Sequence, residues 1–488
     1  MKIANTIGGA LVEPAGGAYF DDVDPATGTV CAQVPDSDER DVAAAVEAAQ
    51  QAFEGWSRTP ADERSRLLCR LADLIERDLD ELARLESIDT GKPLSVARSV
   101  DIPRAVANFR FFATAILHTS GQSHQTDTSS ACAINITLRS PRGVAGLISP
   151  WNLPLYLLSW KVAPALATGN TAVGKPSELT PMTAHRLGEL SIEAGLPPGV
   201  LNIVHGTGAK TGAAIVRHPD VPTISFTGGT DTGADIARTA GPMFKRLALE
   251  CGGKNPTIVF ADADFDDALA TSVRAAFSNQ GQICLCGSRL LVERPVYERF
   301  VEQFVERTRT LRVGDPMDHG TDLGALISAE HLAKVESYVA LARAEGGTIA
   351  CGGRRPAPES LGDRCRDGLF MEPTVVTGLD MNCRTNTEEI FGPLVTIMPF
   401  DDADHAVELA NATRYGLSAS VWTRDLDRAH HVAGRLDAGT VWVNCWLLRD
   451  LRVPFGGMKS SGLGREGGDE ALRFFTEPKN VCIRMGPR

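Results

Sequence analysis

The chain has 488 residues, too many for one simple core, so two or three domains are expected. Hydrophobic residues at 43% and charged residues at 23% are ordinary for a soluble globular protein, and a formal charge of −12 argues against nucleic acid as a partner, because duplex binding needs a basic footprint. No apolar run is long enough to span a bilayer, the first residues lack a secretory apolar core, and the 11 cysteines are scattered and odd in number, so the chain reads as a cytoplasmic protein with reduced thiols.

Asp38 to Trp56 is alanine-rich with helical periodicity, and Ala61 to Ser87 continues in that style with leucines at helical spacing. Leu94 to His118 predicts a third helix, kinked at Pro103. The N-terminal part thus reads as largely helical. Ala131 to Ser140 alternates like a strand. Short apolar runs at 143–149, 171–175, 200–204, 223–226 and 246–250 then alternate with helical stretches over 155–168, 180–194, 208–217 and from Thr230. Repeated β-α units predict a parallel, doubly wound sheet, which binds ligands at the carboxyl ends of its strands. A second α/β series follows, with strands at 256–260 and 288–293 and helices over 264–280 and 295–310. Residues 352–368, rich in Gly, Pro and Arg, read as a surface loop.

Five stretches carry chemistry. "FSNQGQICLCGSR" (277–289) holds Cys284 and Cys286 with one residue between them. That spacing rarely lets two thiols reach one zinc, no histidine lies nearby, and a redox pair usually has two intervening residues, so no metal site is expected. A thiol in a Gly-containing turn can meet backbone N–H groups that lower its pKa and bind an oxyanion. Spacing leaves the two cysteines tied, and a buried structural cysteine is the plain alternative for either. In "LALECGGKNP" (247–256), Glu250 ends an apolar strand, where it could act as a general base beside a thiol or be a solvated strand-end carboxylate. In "SPWNLP" (149–154), Asn152 suits a helix cap or an oxyanion donor. "KPSELT" (175–180) puts Lys175 and Glu178 after a strand, where ribose hydroxyls bind, and "FTGGTDTG" (226–233) joins strand to helix, where N–H groups can face a pyrophosphate.

In this order, these five pieces together with "EEIFGP" (388–393) and "PFGGMKSSGLGRE" (454–466) resemble the aldehyde dehydrogenase superfamily over nearly the whole chain. The resemblance implies that Cys284 is the nucleophile and Cys286 is not catalytic. It implies that Asn152 and the Cys284 N–H hold the oxyanion of a thiohemiacetal, and that Glu250 activates the water that hydrolyses the thioester. The cofactor is expected to be NAD, held by Ile148, Ser149, Trp151, Lys175, Ser177, Glu178, Gly208, Phe226, Thr227, Gly228, Gly229, Glu389 and Phe391. A carboxylate at Glu178 repels a 2′-phosphate. Gly229 stands where many relatives have Ser, and Cys251 where Leu is usual; neither is expected to touch the catalytic set.

The substrate site implied by the resemblance comprises Arg104, Leu153, Trp160, Arg449 and Phe455. Arg449 lies where many relatives place an aromatic, and two arginines on opposite tunnel walls suit a carboxylate; exposed ion pairs are the alternative fate for both. Within the superfamily the residues look most like the dehydrogenases of 2-aminomuconate and 2-hydroxymuconate 6-semialdehyde, which oxidise carboxylated ring-cleavage products. A small anionic aldehyde is therefore the expected partner. Betaine aldehyde is a second possibility within the fold, and a cysteine hydrolase or a catalytically silent relative is a third. The implied architecture is α/β: a Rossmann-type nucleotide domain (1–118 and 142–252), an α/β catalytic domain (253–450), and a β-hairpin oligomerisation arm with the C-terminal tail (119–141 and 451–488), assembled as a homodimer or homotetramer.

Overall fold

The computed structural model describes residues 1–485. In its first large sheet the strands Leu201–Ile203, Thr171–Lys175, Val144–Ile148, Thr223–Thr227 and Arg246–Glu250 lie side by side in that order and run parallel. Sequences such as VAGLI and TISFT are buried from end to end. Ala145, Leu147 and Ala172 pack with the helix Pro154–Ala167 on one face, and Val144, Val173 and Ile224 pack with Glu39–Arg58 on the other. A strand covered on both sides reads as a continuous apolar run, which is why these strands are legible in the sequence. The winding reverses between Val144–Ile148 and Thr223–Thr227, so a crevice opens above the carboxyl ends of these two strands.

Before the first helix the chain is extended. Asn5–Ile7 and Ala10–Val12 pair with each other, and Thr6 pairs with Ile203 to give the first sheet an antiparallel edge. Tyr19–Val23 and Val30–Pro35 form a separate ribbon. The expectation of a largely helical N-terminal part is therefore corrected: it holds only from Glu39. These strands are three to six residues long, too short for local periodicity to reveal them, and only Asn5–Ile7 also pairs with a strand distant in sequence.

The helix Glu39–Arg58 starts at Asp38, whose side chain accepts the Arg40 N–H at 2.9 Å while Asp41 accepts the Asp38 N–H at 3.0 Å. The stretch expected as one helix to Ser87 is two, Ala61–Arg77 and Leu79–Thr90, broken at Asp78. The expected kink near Pro103 is a π turn over Ala97–Asp101, followed by the helix Ile102–Ala115 with Pro103 in its first turn, where a missing N–H costs little. The predicted 208–217 helix likewise begins as a π turn, Gly208–Gly212.

The second large sheet has six parallel strands, in the order Thr374–Thr377, Leu394–Phe400, Arg289–Glu293, Pro256–Val259, Ser418–Trp422 and Thr440–Val443, with Thr348–Cys351 antiparallel at one edge. Residues 352–368 are not simply a surface loop: they include the turns Pro358–Ser360 and Gly362–Cys365, and Cys365 packs against Ala26, Ala325 and Phe370. In the small sheet, Cys132–Pro141 pairs with Ser123–Asp127 on one side and with Thr476–Met485 on the other, Cys132 facing Met485 and Pro141 facing Thr476. Gly462–Leu463 returns to the first sheet and pairs with Leu249 and Glu250. Among the described residues, no helix is long and apolar enough to cross a membrane.

Candidate active site

The helix Phe265–Phe277 ends in a tight turn in which Asn279 (φ 52°), Gln280 (φ 56°) and Gly281 (φ 71°) are all left-handed. Any Cβ at Gly281 would strike the Gly392 carbonyl. Three left-handed residues in a row reverse the chain and bring Cys284 to the crevice. Buried amides fix the loop. Asn255 Nδ2 donates to the Cys284 carbonyl at 2.7 Å and to the Cys286 carbonyl at 2.9 Å. Asn152 Nδ2 donates to the Gln282 carbonyl at 2.9 Å.

Spacing left the two cysteines equal; their surroundings differ. Cys284 borders both a cavity of about 710 Å³ and a smaller one of about 260 Å³ beside Trp151 and Phe391. Cys286 is buried, with Sγ against the Ser278 carbonyl at 3.8 Å, and borders a small void. Burial, reinforced by Glu250 and Glu389, pushes the Cys284 thiol up to about 12, and burial does the same to Cys286. The expectation that turn N–H groups lower the thiol pKa is thus corrected: burial and the two carboxyl groups raise it against the pull of Arg449, which favours the neutral thiol. Among the described residues the Cys284 N–H has no acceptor, and the Asn152 amide keeps a second N–H beyond the one given to Gln282.

Glu250 ends its strand in the wall of the larger cavity, with neither carboxyl oxygen hydrogen-bonded among the described residues. Burial and then Glu466 hold its pKa well above the usual carboxylate range, against the pull of Lys161, Arg449 and Arg465. Behind it lies a network that the sequence reading did not single out. Lys161 Nζ donates to Glu466 Oε1 at 2.8 Å and to Ser225 Oγ at 3.0 Å, and Ser225 Oγ donates to the same Glu466 oxygen at 2.9 Å. The one available signal was a lysine in an otherwise apolar helix, which has to find an anion. Its partner is 305 residues away.

On the other side of Cys284, Ile148, Ser149, Trp151, Lys175, Ser177, Glu178, Gly208, Phe226, Thr227, Gly228 and Gly229 all line one cavity of about 560 Å³ at the strand ends. Glu389 and Phe391 line the adjoining 260 Å³ cavity with Asn152, Cys284, His331 and Lys334. Lys175 Nζ pairs with Glu178 Oε2 at 2.8 Å, and Glu178 Oε1 accepts the Gly208 N–H at 3.1 Å. Burial pushes the Glu178 carboxyl up, but Lys175 overcomes it and leaves the pKa below its ordinary value. Glu389 accepts the Gly253 N–H at 2.8 Å, and its carboxylate occupies the space a Cβ on Gly252 would need. Phe391 (φ 64°) sets its ring edge-on to Trp151 at 5.3 Å, and His331 Nε2 meets the Phe391 carbonyl at 2.7 Å. Gly229 caps the helix Thr230–Ala240 without a side-chain acceptor, so its first N–H groups face the crevice. Gly229 and Cys251 both border the small cavity that Cys284 borders.

Arg104, Leu153, Trp160, Arg449 and Phe455 all line the larger cavity together with Glu250 and Cys284. Arg449 Nη1 donates to the Tyr156 hydroxyl at 3.2 Å, and its guanidinium lies 3.9 Å from the Phe455 ring centre. Arg104 lies 5.5 Å from the Tyr156 ring centre. Tyr156, which the sequence reading missed, thus stands between the two arginines. Among the described residues neither guanidinium makes an ion pair, so the alternative of two arginines consumed in exposed ion pairs does not apply.

The family model described as "Aldehyde dehydrogenase family" matches residues 11–481. The chain is 53% identical to the 2-aminomuconic semialdehyde dehydrogenase of Danio rerio, covering 99% of this chain and 98% of that protein. It is 48% identical to the 2-hydroxymuconic semialdehyde dehydrogenase of Pseudomonas sp. (strain CF600), covering 99% and 100%. A solved NAD+ complex of an aldehyde dehydrogenase from Bacillus cereus superposes with a TM-score of 0.95 at 41% identity, covering 100% of this chain and 97% of that one. With a thiol, a poised carboxyl group and a nucleotide-shaped crevice meeting at one point, the chain belongs to the aldehyde dehydrogenase family.

Proposed function

We propose that this protein is an NAD-dependent dehydrogenase that oxidises a carboxylated semialdehyde, of the 2-aminomuconic or 2-hydroxymuconic type, to the corresponding acid. The observation that carries the substrate class is the pair Arg104 and Arg449, free of ion pairs and set in the same cavity as Cys284 and Glu250. A guanidinium fork matches a carboxylate, and it repels a cationic aldehyde such as betaine aldehyde. An intact Cys284, Glu250 and nucleotide crevice argue against a hydrolase or a silent relative.

The crevice fits a dinucleotide. Its Lys175–Glu178 pair suits ribose hydroxyls, the uncapped N–H groups after Gly229 suit a pyrophosphate, and Glu389 with Phe391 suits the nicotinamide end beside Cys284. When bound, NAD supplies the hydride acceptor. The Cys284 thiol gives its proton to solvent, and the thiolate forms an S–C bond to the aldehyde carbon while the C=O π pair moves onto the oxygen. The resulting oxyanion is met by the Cys284 N–H and the spare Asn152 amide N–H, neutral donors already aimed where charge develops. Loss of hydride from that carbon leaves a thioester on Cys284. Glu250 takes a proton from water, the water oxygen bonds to the acyl carbon, and the S–C bond breaks to release acid and thiol.

Three further readings accompany this. Residues 1–118 and 142–252 serve as the nucleotide-binding unit and 253–450 as the catalytic unit. Residues 119–141 and 451–488 serve as arm and tail in a homodimer or homotetramer, a reading supported by the three-stranded sheet that holds them together. The location is cytoplasmic. Arg104→Ala and Arg449→Ala enzymes, assayed with a carboxylated semialdehyde and with an uncharged aldehyde of similar length, test the substrate reading. A kcat/KM loss of tenfold or more confined to the carboxylated substrate is expected; equal kcat/KM values for variant and parent on that substrate would overturn it.

A further inference from the structure

Beneath the oxyanion site lies a buried cation that the chemistry above does not use. The helix Leu79–Thr90 ends at Gly91 (φ 72°), and this left-handed cap turns Lys92 into the interior, where it is fully buried. The backbone there is pinned: Ser87 Oγ donates to the Lys92 carbonyl at 2.6 Å, and the Lys92 N–H reaches Thr90 Oγ1 at 3.3 Å. The Lys92 ammonium contacts Asp101, donates to the Asn152 carbonyl at 2.9 Å, and lies 4.0 Å from Glu86. Asn279 Nδ2 reaches the same Asn152 carbonyl at 3.2 Å. Asp101 is the last residue of the π turn and borders the cavity that holds Cys284, three positions before Arg104.

Stability alone does not explain this arrangement. A buried ion pair roughly breaks even against an apolar replacement, and here a second buried carboxyl, Glu86, is pushed up to about 7 by the same burial. What the arrangement does is fix geometry. Asn152 has its carbonyl clamped by Lys92 and Asn279 and its side chain tied to Gln282, two residues before Cys284. A carbonyl held by a charged donor is held more firmly than one held by amides alone. Donors in an oxyanion site work through preorganisation, so looseness in the Asn152 backbone is felt at its amide.

We propose that Lys92 is a positioning residue for the oxyanion site: anchored by Asp101, it locks the Asn152 backbone so that the Asn152 amide stays aimed at the oxygen of the carbon bonded to Cys284. This rests on the role given to Asn152 under the proposed function.

The test is a double-mutant cycle in the full-length enzyme, with kcat and the KM for both substrates measured for Lys92→Met, Asn152→Ala and the pair. Asn152→Ala is expected to lower kcat by roughly 100- to 1,000-fold, as loss of an oxyanion donor does. Lys92→Met alone is expected to lower kcat by at least about tenfold, with the KM for NAD within about twofold of the parent, since misplacement of a reacting group acts on the chemical step. In the Asn152→Ala background Lys92→Met should cost nothing further. Lys92→Gln, which keeps a donor for the Asn152 carbonyl, should recover part of the loss. Equal losses from Lys92→Met in both backgrounds would overturn the proposal and leave the role of Asn152 standing. A fully active Asn152→Ala enzyme would overturn the Asn152 role and the proposal with it. Should Lys92→Met fail to fold, Asp101→Asn, which loosens the ammonium without removing it, takes its place in the cycle and is held to the same non-additivity.

Discussion

The Arg449 guanidinium donates to the Tyr156 hydroxyl at 3.2 Å, so the orientation of the group proposed to read the substrate carboxylate depends on a residue of the helix that follows Asn152. Tyr156→Phe removes that bond and keeps the ring under Arg104. One lost hydrogen bond to a charged group corresponds to about 1.5–3 kcal/mol, or roughly 10- to 100-fold. The KM for a carboxylated semialdehyde should rise within that range while kcat changes little; an unchanged KM in steady-state assays would mean that the rings of Phe455 and Trp160 orient Arg449 without help.

The neutral resting thiol makes its own prediction. With the Cys284 pKa near 12, the thiolate fraction grows about tenfold per pH unit across pH 7–9. Alkylation of Cys284 by iodoacetamide in the absence of NAD, followed by peptide mass spectrometry, should accelerate accordingly. A flat rate over that range would point to a thiolate already formed. Cys284→Ala should be inactive and Cys286→Ala should turn over like the parent.

Glu250 is the third handle. Glu250→Gln should give one burst of NADH per active site and then stall, because the acyl group cannot leave Cys284 without a base to activate water. In the parent, Glu250 must lose a proton to serve, and burial with Glu466 holds its pKa high, so thioester hydrolysis should rise with pH above the ordinary carboxylate range. Glu466→Gln removes the repelling charge and releases Lys161 from its partner; both changes favour ionised Glu250. The ascending limb of the single-turnover pH profile should therefore move to lower pH. A shift to higher pH would contradict the assignment.

Cofactor preference is testable at Glu178. Glu178→Gln keeps an acceptor for the Gly208 N–H but removes the charge that would repel a 2′-phosphate. The ratio of kcat/KM for NADP to that for NAD should rise by at least about tenfold, with a higher KM for NAD.

Much of this was legible in the sequence for physical reasons. The parallel strands are buried on both faces and so appear as apolar runs; "VAGLI" and "TAVGK" could hardly be anything else. The motifs around Glu250, Cys284 and Lys175 are local, so they survive without the fold. What was hidden is what distance creates. Asn5–Ile7 joins the first sheet only through Thr6 and Ile203, 197 positions apart. Lys161 and Glu466 are partners across 305 positions, and Lys92 meets Asn152 across 60. The two cysteines could be told apart by spacing no better than by charge; it is the three left-handed residues before them that send one thiol to the crevice and leave the other packed.

The pairing of Gly462–Leu463 with Leu249 and Glu250 has an implication for biosynthesis. The strand that carries Glu250 is translated more than 200 residues before the segment that closes its edge, and Glu466 arrives with that same segment. A nascent chain still short of residue 462 has its nucleophile and its oxyanion donors, yet Lys161 lacks Glu466 and the Glu250 strand has a bare flank. Ribosome-bound intermediates are therefore expected to be inactive towards aldehydes, and premature termination before residue 462 removes a support of the reaction centre together with Thr476–Met485, the partner of Cys132–Pro141.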